Sequence, residues 1–202
     1  MKKLALALAL TSILAAPYVA HAESSVVTGA TPSTTARLDF RVIIPRVLFL
    51  AVGTGAAGTA LTANSTIDQV TFDYTTNSGA VGSGAAAGSI VGNVVPVRVV
   101  GNNGAISLSA TTSGALTNGV ATETIPWSEI SVVSDQAATF PSPVIPLTGT
   151  GAGSSVAISS GTKVTNRTAN WTYSYANSAV LPAGTYGTSV NNGRIIYTAT
   201  MP

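Results

Sequence analysis

The stretch VVPVRVVGNNGAISLSAT, residues 94–111, contains two runs of alternating apolar residues on either side of Gly101-Asn102-Asn103-Gly104. Alternation with a period of two is the pattern of a β-strand that buries one face. Asn and Gly tolerate the positive φ angles that a tight turn between strands requires. The stretch therefore predicts strands at residues 94–100 and 105–111, paired as an antiparallel hairpin.

Short segments of the same kind recur along the chain, with Gly, Asn and Pro between them. No segment has the length and the 3.6-residue period of an ordinary helix, and residues 125–130 are expected to form one helical turn or an irregular strand. Residues 77–89 predict a flexible connection, and Pro141, Pro143 and Pro146 predict a loop that crosses between the halves of the fold. The pattern is typical of an all-β, antiparallel, immunoglobulin-like sandwich with Greek-key connections. The other predicted strands are residues 38–44, 47–52, 67–74, 131–133, 155–159, 168–175, 184–190 and 194–200.

The first 22 residues have the features of a signal peptide: a basic start at Lys2 and Lys3, an apolar run, and the cleavage motif Ala20-His21-Ala22. Cleavage removes two of the nine basic residues and leaves seven basic against seven acidic ones. The mature chain is therefore expected to be exported and neutral. Without clustered basic residues it is not expected to bind nucleic acid, and no later stretch has the length of a transmembrane span.

Residues 23–36, ESSVVTGATPSTTA, are rich in Ser and Thr and show no sustained alternation. This composition predicts a flexible N-terminal arm. The expected organisation is a signal peptide at residues 1–22, the arm at residues 23–36 and one β-sandwich domain at residues 37–202.

The segment that follows the arm alternates, so that Leu38, Phe40, Val42 and Ile44 form one apolar face of a strand. Pro45 lacks an N–H group and is expected to interrupt the ladder or to place the strand at a sheet edge. Such a strand can close its own sandwich or fill a groove in a neighbouring subunit, and the sequence permits both. These four apolar residues are the candidate donor-strand residues.

Removal of the leader leaves no histidine and no cysteine, because the single histidine is His21. Nucleophilic triads and most zinc sites need one of these residues, so both are excluded, and no catalytic residue, metal or cofactor is expected. Glu123 and Glu129 flank Trp127, which leaves open the carboxylate pair of a small glycosidase. The simpler interpretation is that Glu129 supports a turn and that Glu123 lies on a solvated strand.

The aromatic residues allow two interpretations. Trp171, Tyr173 and Tyr175 alternate with small residues and share one face of a strand, where rings could stack on a sugar; with Trp127 they are the candidate ligand-stacking residues. A sandwich core also needs large side chains on one face, and strands are enriched in Trp and Tyr. The pattern favours packing in the core or at an edge.

The two ends of the chain resemble exported bacterial pilin-like subunits. Near the C-terminus, Pro182-Ala183-Gly184-Thr185-Tyr186 precedes a terminal strand and is similar to the last hairpin of spore-coat-U-type and other fimbrial subunits of chaperone–usher systems. The resemblance implies an incomplete immunoglobulin-like sandwich, whose missing strand comes from the N-terminal extension of a neighbour. Many such subunits carry a disulfide and an aromatic residue next to the last position, whereas this chain has no cysteine and ends in Met201-Pro202.

These patterns together predict a non-enzymatic structural subunit of an extracellular or cell-surface fibre, exported through the periplasm and assembled by β-strand exchange. The expected partner is a second copy of the chain in a homo-polymer. The resemblance implies a periplasmic chaperone and an outer-membrane usher as further partners. A secreted carbohydrate-binding or adhesive β-sandwich module is the alternative function, and a small secreted glycosidase ranks last.

Overall fold

A computed structural model describes residues 23–57, 60–147 and 150–202 of the chain. The predicted signal peptide, residues 1–22, lies outside these ranges. Contacts divide the chain between Ile44 and Pro45, beyond the predicted domain boundary at residue 37. Residues 23–47 form no strand or helix, and the unit that begins at Pro45 is built almost entirely of β-structure. In the three described ranges no helix is long and apolar enough to cross a membrane.

The described part of the chain forms short strands and three 3-10 helices. The strands are β1 (Leu48–Val52), β2 (Thr71–Asp73), β3 (Ser89–Val91), β4 (Val94–Gly101), β5 (Ile106–Thr112), β6 (Leu116–Thr117), β7 (Thr124–Ile125), β8 (Ile130–Ser134), β9 (Gly151–Ala152), β10 (Val156–Ile158), β11 (Thr165–Tyr175) and β12 (Ile196–Thr200). The 3-10 helices span Thr54–Ala57, Ser78–Ala80 and Trp127–Glu129. The third of them is the helical turn, one of the two alternatives expected for residues 125–130.

Two antiparallel sheets form the body of the molecule. The first has the strand order β1-β4-β11-β8. In the second, β5 is central, with β12 along one edge and β9 and β10 along the other. The short pairs β2–β3 and β6–β7 lie outside both sheets. This architecture confirms the predicted fold class at the level of an all-β sandwich of antiparallel sheets.

The predicted hairpin between β4 and β5 is wrong, because these consecutive strands lie in different sheets. β4 pairs with β1 and β11, whereas β5 pairs with β9, β10 and β12. The turn between them forms where the sequence predicts it, with Gly104 at a φ of 111°. It makes an arch, which lets the apolar faces of both strands meet across the core. The buried residues on these two faces are Val95, Val97, Val99, Ile106, Leu108 and Ala110.

The core is centred on Trp171, which is fully buried on β11. Its ring lies 5.7 Å from that of Phe140 and 5.1 Å from that of Tyr197, measured between ring centroids. Phe140 comes from the proline-containing segment between β8 of the first sheet and β9 of the second. This confirms the predicted crossing loop. Phe140 and Ile145 are both buried, so the loop also contributes side chains to the core.

Two predicted strands do not form. Residues 184–190 are a loop in which Gly187 has a φ of 76° and donates its N–H to the carbonyl of Thr117 at 3.0 Å. The terminal strand β12 therefore pairs with β5 and not with a preceding hairpin partner. Residues 38–44 form no strand in this single chain, since none of the described ladders includes them. The remaining predicted strands are present with shifted ends.

The glycine- and alanine-rich connection at residues 77–89 is held by one buried side chain, that of Asn177. Its Oδ1 accepts the N–H of Gly82 at 2.7 Å. Its Nδ2 donates to the carbonyls of Ala80 at 2.6 Å and Ala85 at 3.1 Å. A polar side chain that is 2% exposed needs such partners, and here the partners are backbone groups of the connection. A residue far along the chain, just after β11, therefore helps to hold the connection in place.

Candidate functional site

The body has an open seam, formed by β1 and β12. Each is the edge strand of its sheet in the described structure, and the two strands contact each other across the sandwich. An edge strand presents unpaired N–H and C=O groups that can accept another strand. Five apolar side chains along the seam point towards the core but are only half-buried. They belong to β1, to β12 and to the residue after β12: Leu50, Val52, Tyr197, Ala199 and Met201. The core is thus incompletely covered along the open seam.

A groove of about 460 Å³ runs beside β1. All five residues of β1 line it on one side, and Leu61, Thr62, Ala63, Asn64 and Thr66 line the other. The lining therefore combines apolar side chains with hydroxyl and amide groups. Pockets of similar volume hold small-molecule ligands, so this groove has room for several side chains. Residues 61–66 form no strand, so they line the groove opposite β1 without extending the first sheet, and the edge of β1 stays unpaired in the described part of the chain.

Asp68, two residues after the segment that lines the groove, bonds to the residue that follows the edge strand and Gly53. The carboxylate of Asp68 accepts the backbone N–H of Thr54 at 2.6 Å and the hydroxyl of Thr54 at 3.2 Å. Thr54 opens the 3-10 helix that follows β1. These two hydrogen bonds tie the segment that lines the groove to the end of the edge strand.

The four candidate donor-strand residues have exposed side chains. The exposed fractions are 59% for Leu38, 86% for Phe40, 81% for Val42 and 76% for Ile44. Burying a large apolar side chain stabilises a protein by about 1.5–3 kcal/mol. This chain therefore carries an alternating set of apolar side chains that gain no such stabilisation in the single copy.

The structure corrects the ligand-stacking prediction for three of the four rings. Trp127, Trp171 and Tyr173 are buried, so they have no free face for a sugar. Tyr175 is half-buried, with its ring centroid 6.1 Å from that of Phe72 and 6.1 Å from that of Tyr74. The aromatic residues of β11 are packing residues, which is the interpretation that the alternation favours.

The two glutamates near Trp127 hold loops. Glu129 accepts the N–H of Ser178 at 3.1 Å and also its hydroxyl. Glu123 accepts a hydrogen bond from the side-chain amide of Asn118. Within the described ranges no group of three or more His, Cys, Asp and Glu side chains could hold a metal ion.

Two tyrosines join the sheets beside the open seam. The hydroxyls of Tyr173 on β11 and Tyr197 on β12 lie 2.6 Å apart and form a hydrogen bond. Burial raises the pKa of Tyr173 to about 12. Burial also raises the pKa of Tyr197, and the neighbouring Tyr173 raises it further. Both hydroxyls therefore remain protonated far above neutral pH, and one polar contact ties β12 to the opposite sheet.

Comparisons with models of protein families, with curated proteins and with solved structures find no match to this chain.

Proposed function

We propose that this chain is a structural subunit of an extracellular or cell-surface fibre that assembles by β-strand exchange. In this proposal, residues 38–44 of one copy lie along the open seam of another copy. The observation that carries the proposal is that one chain combines an exposed, alternating apolar segment with a sandwich whose core is only partly covered along two edge strands. The exposed segment lacks a surface that buries its apolar side chains, and the sandwich lacks a strand along its open seam.

The added strand is stabilised in two ways. Its backbone N–H and C=O groups bond to the free edge of β1 or β12, as in other cases of β-augmentation. Its alternate side chains, Leu38, Phe40, Val42 and Ile44, meet the half-buried residues of the open seam. The four side chains leave water together, and the apolar area that they bury favours the polymer over the free subunits.

The resemblance supplies the remaining partners in the proposal. A subunit with an uncovered edge and exposed apolar residues aggregates unless something covers it before assembly. A periplasmic chaperone would provide that cover, and an outer-membrane usher would bring the subunits together at the cell surface. Export through the periplasm is part of the proposal for the same reason.

The substitution Phe40→Asp tests this function. It places a charge at the centre of the donor segment, where burial in an apolar groove costs several kcal/mol. We expect electron microscopy of material sheared from the cell surface to show no fibres for this variant. The matched control is Val26→Asp, because Val26 is 88% exposed but lies outside the alternating segment. Fibres of normal length from Phe40→Asp would contradict the proposal.

A further inference from the structure

The side chain of Asn102 holds the residues that connect the donor segment to β1. Its Oδ1 accepts the N–H of Val47 at 2.8 Å, and its Nδ2 donates to the carbonyl of Pro45 at 2.7 Å. Its backbone N–H donates to the carbonyl of Val47 at 3.3 Å. Asn102 thus bonds to the carbonyl of Pro45 and to both the N–H and the carbonyl of Val47.

This set of contacts is the one that an extended chain makes. In a β-strand, the backbone groups of residues two apart face the same side, towards one neighbouring strand. Asn102 follows directly after the end of β4, the strand that pairs with β1. Its amide therefore takes the place of a strand partner and continues the line of β1 back to Pro45.

The same contacts oppose a reversal of the chain at this point. To lie along its own open seam, the donor segment has to turn back immediately before β1. Pro45 suits the second position of a β-turn, and such a turn is closed by the N–H of Val47 bonding to the carbonyl of Ile44. That N–H is already donated to Asn102. A reversal then has to occur within residues 38–44, which shortens the strand available to the chain's own seam.

We propose that Asn102 is a positioning residue for strand exchange: by holding residues 45–47 extended, it directs the donor segment to a second copy of the chain and away from its own seam. This inference rests on the function proposed above. It gives Asn102 a role beyond that of a residue in a tight turn. It also selects exchange between subunits from the two arrangements that the sequence permits.

Cross-linking can separate the two arrangements, because the chain contains no natural cysteine. The substitutions Arg41→Cys and Thr198→Cys are made in one full-length chain, and a short bismaleimide joins the two thiols. Both residues are exposed, and they alternate with the apolar residues of the donor segment and with the core-facing residues of β12, so neither thiol replaces a side chain that the exchange buries. Exchange between copies gives a ladder of oligomers on a denaturing gel, whereas a segment in its own seam gives an internally linked monomer. The ratio of monomer to ladder is then compared with and without Asn102→Ala.

We expect Asn102→Ala to raise the share of the internally linked monomer about fivefold or more, since the loss of two hydrogen bonds shifts an equilibrium by about this factor. Asn102→Asp keeps an acceptor for Val47 but loses the donor to Pro45, and should give an intermediate ratio. The control is Asn170→Ala, which removes an amide hydrogen bond of 2.9 Å to Asp135. It should leave the ratio unchanged.

Each outcome has a distinct meaning. A ladder whose ratio is the same in folded Asn102→Ala and in the parent chain overturns the role of Asn102 but leaves strand exchange in place. If Asn102→Ala does not fold, the ratio of monomer to ladder in Asn102→Asp is compared with that of the parent chain, and an unchanged ratio again overturns the role of Asn102. The absence of both products in every background overturns the proposed function, and the inference with it.

Discussion

At the scale of single residues, the pair Tyr173 and Tyr197 shows how this chain joins its sheets without a disulfide. The 2.6 Å hydrogen bond connects the central strand β11 to the terminal strand β12. Tyr197 also packs against Trp171, so the same side chain contributes to the core and to the bond. Ionisation of either hydroxyl would place a charge in a largely apolar site. We therefore expect the stability of the fold to depend on pH in the alkaline range.

The substitution Tyr173→Phe tests this dependence. The pKa of Tyr173 is raised from 10.0 to about 12, so the unfolded chain loses this proton at a lower pH than the folded chain does. The free energy of unfolding should be constant below about pH 10 and fall as the pH rises towards 12. Tyr173→Phe should make this fall shallower, because phenylalanine does not titrate. At neutral pH it should cost about 1 kcal/mol, since Tyr197 loses its partner.

Urea unfolding at intervals between about pH 7 and 12 measures both the cost at neutral pH and the alkaline fall, since this range spans the unperturbed tyrosine pKa of about 10. Tyr186→Phe is the control, because the hydroxyl of Tyr186 donates to the exposed carbonyl of Pro182 and has no tyrosine partner. Burial and the nearby Glu123 raise the pKa of Tyr186 less than burial raises that of Tyr173, so Tyr186→Phe should change the alkaline slope less than Tyr173→Phe does. The same alkaline slope for Tyr173→Phe as for the natural chain would show that the pair does not carry the dependence.

At the scale of elements, the arch between β4 and β5 decides the architecture. Because it sends the two strands into different sheets, β4 is free to pair with β1 and β11, and β5 is free to pair with β12. Its last residue, Gly104, has a φ of 111° and donates its N–H to the carbonyl of Lys163 at 2.9 Å. Only glycine adopts this conformation without strain, so the arch depends on that position.

We expect Gly104→Ala to lower the free energy of unfolding by about 1–2 kcal/mol, the usual cost of a strained backbone conformation. A Cβ at this position would meet no atom nearer than Pro202 Cγ at 3.9 Å, so the cost is one of backbone strain and not of a clash. Gly79→Ala is the matched control, because a Cβ there would meet nothing within 4 Å. Urea unfolding of both variants measures the difference, and equal midpoints would contradict the role of Gly104.

The same arch shows what the sequence could and could not predict. Alternation at β4 and β5 and the Asn-Gly turn predict both strands and the bend between them. They do not distinguish an arch from a hairpin, because both present the same apolar faces to a core. The choice depends on β11 and β12, which lie far along the chain and complete each sheet.

Only part of the candidate site could be predicted from the sequence. The apolar alternation of residues 38–44 and the packing role of the aromatic residues on β11 are visible in the sequence. The open seam is not, because it depends on which strands become the edges of two sheets. Asn102 carries no local signal for its contacts with Pro45 and Val47, since a turn asparagine has the same appearance whether or not its amide reaches another segment.

At the scale of the whole molecule, we propose that residues 38–44 supply the strand that the open seam lacks, and this is the central claim. The exposed apolar side chains of that segment and the half-buried residues of β1 and β12 are then two halves of one structure. The claim can be tested without a fibre, because a free peptide with the sequence of the segment should bind to the seam of a subunit whose own segment is disabled.

The measurement is the thermal midpoint of the full-length Phe40→Asp variant in the presence of the peptide RLDFRVIIP, residues 37–45. A ligand at one hundred times its dissociation constant stabilises the folded state by about 2.7 kcal/mol, which for a chain of this size is a rise of about 5–10 °C. We predict a saturable rise of this order, and none with a peptide of the same composition in scrambled order. No rise at saturating peptide, or an equal rise with the scrambled peptide, would contradict the claim that the segment completes the sandwich.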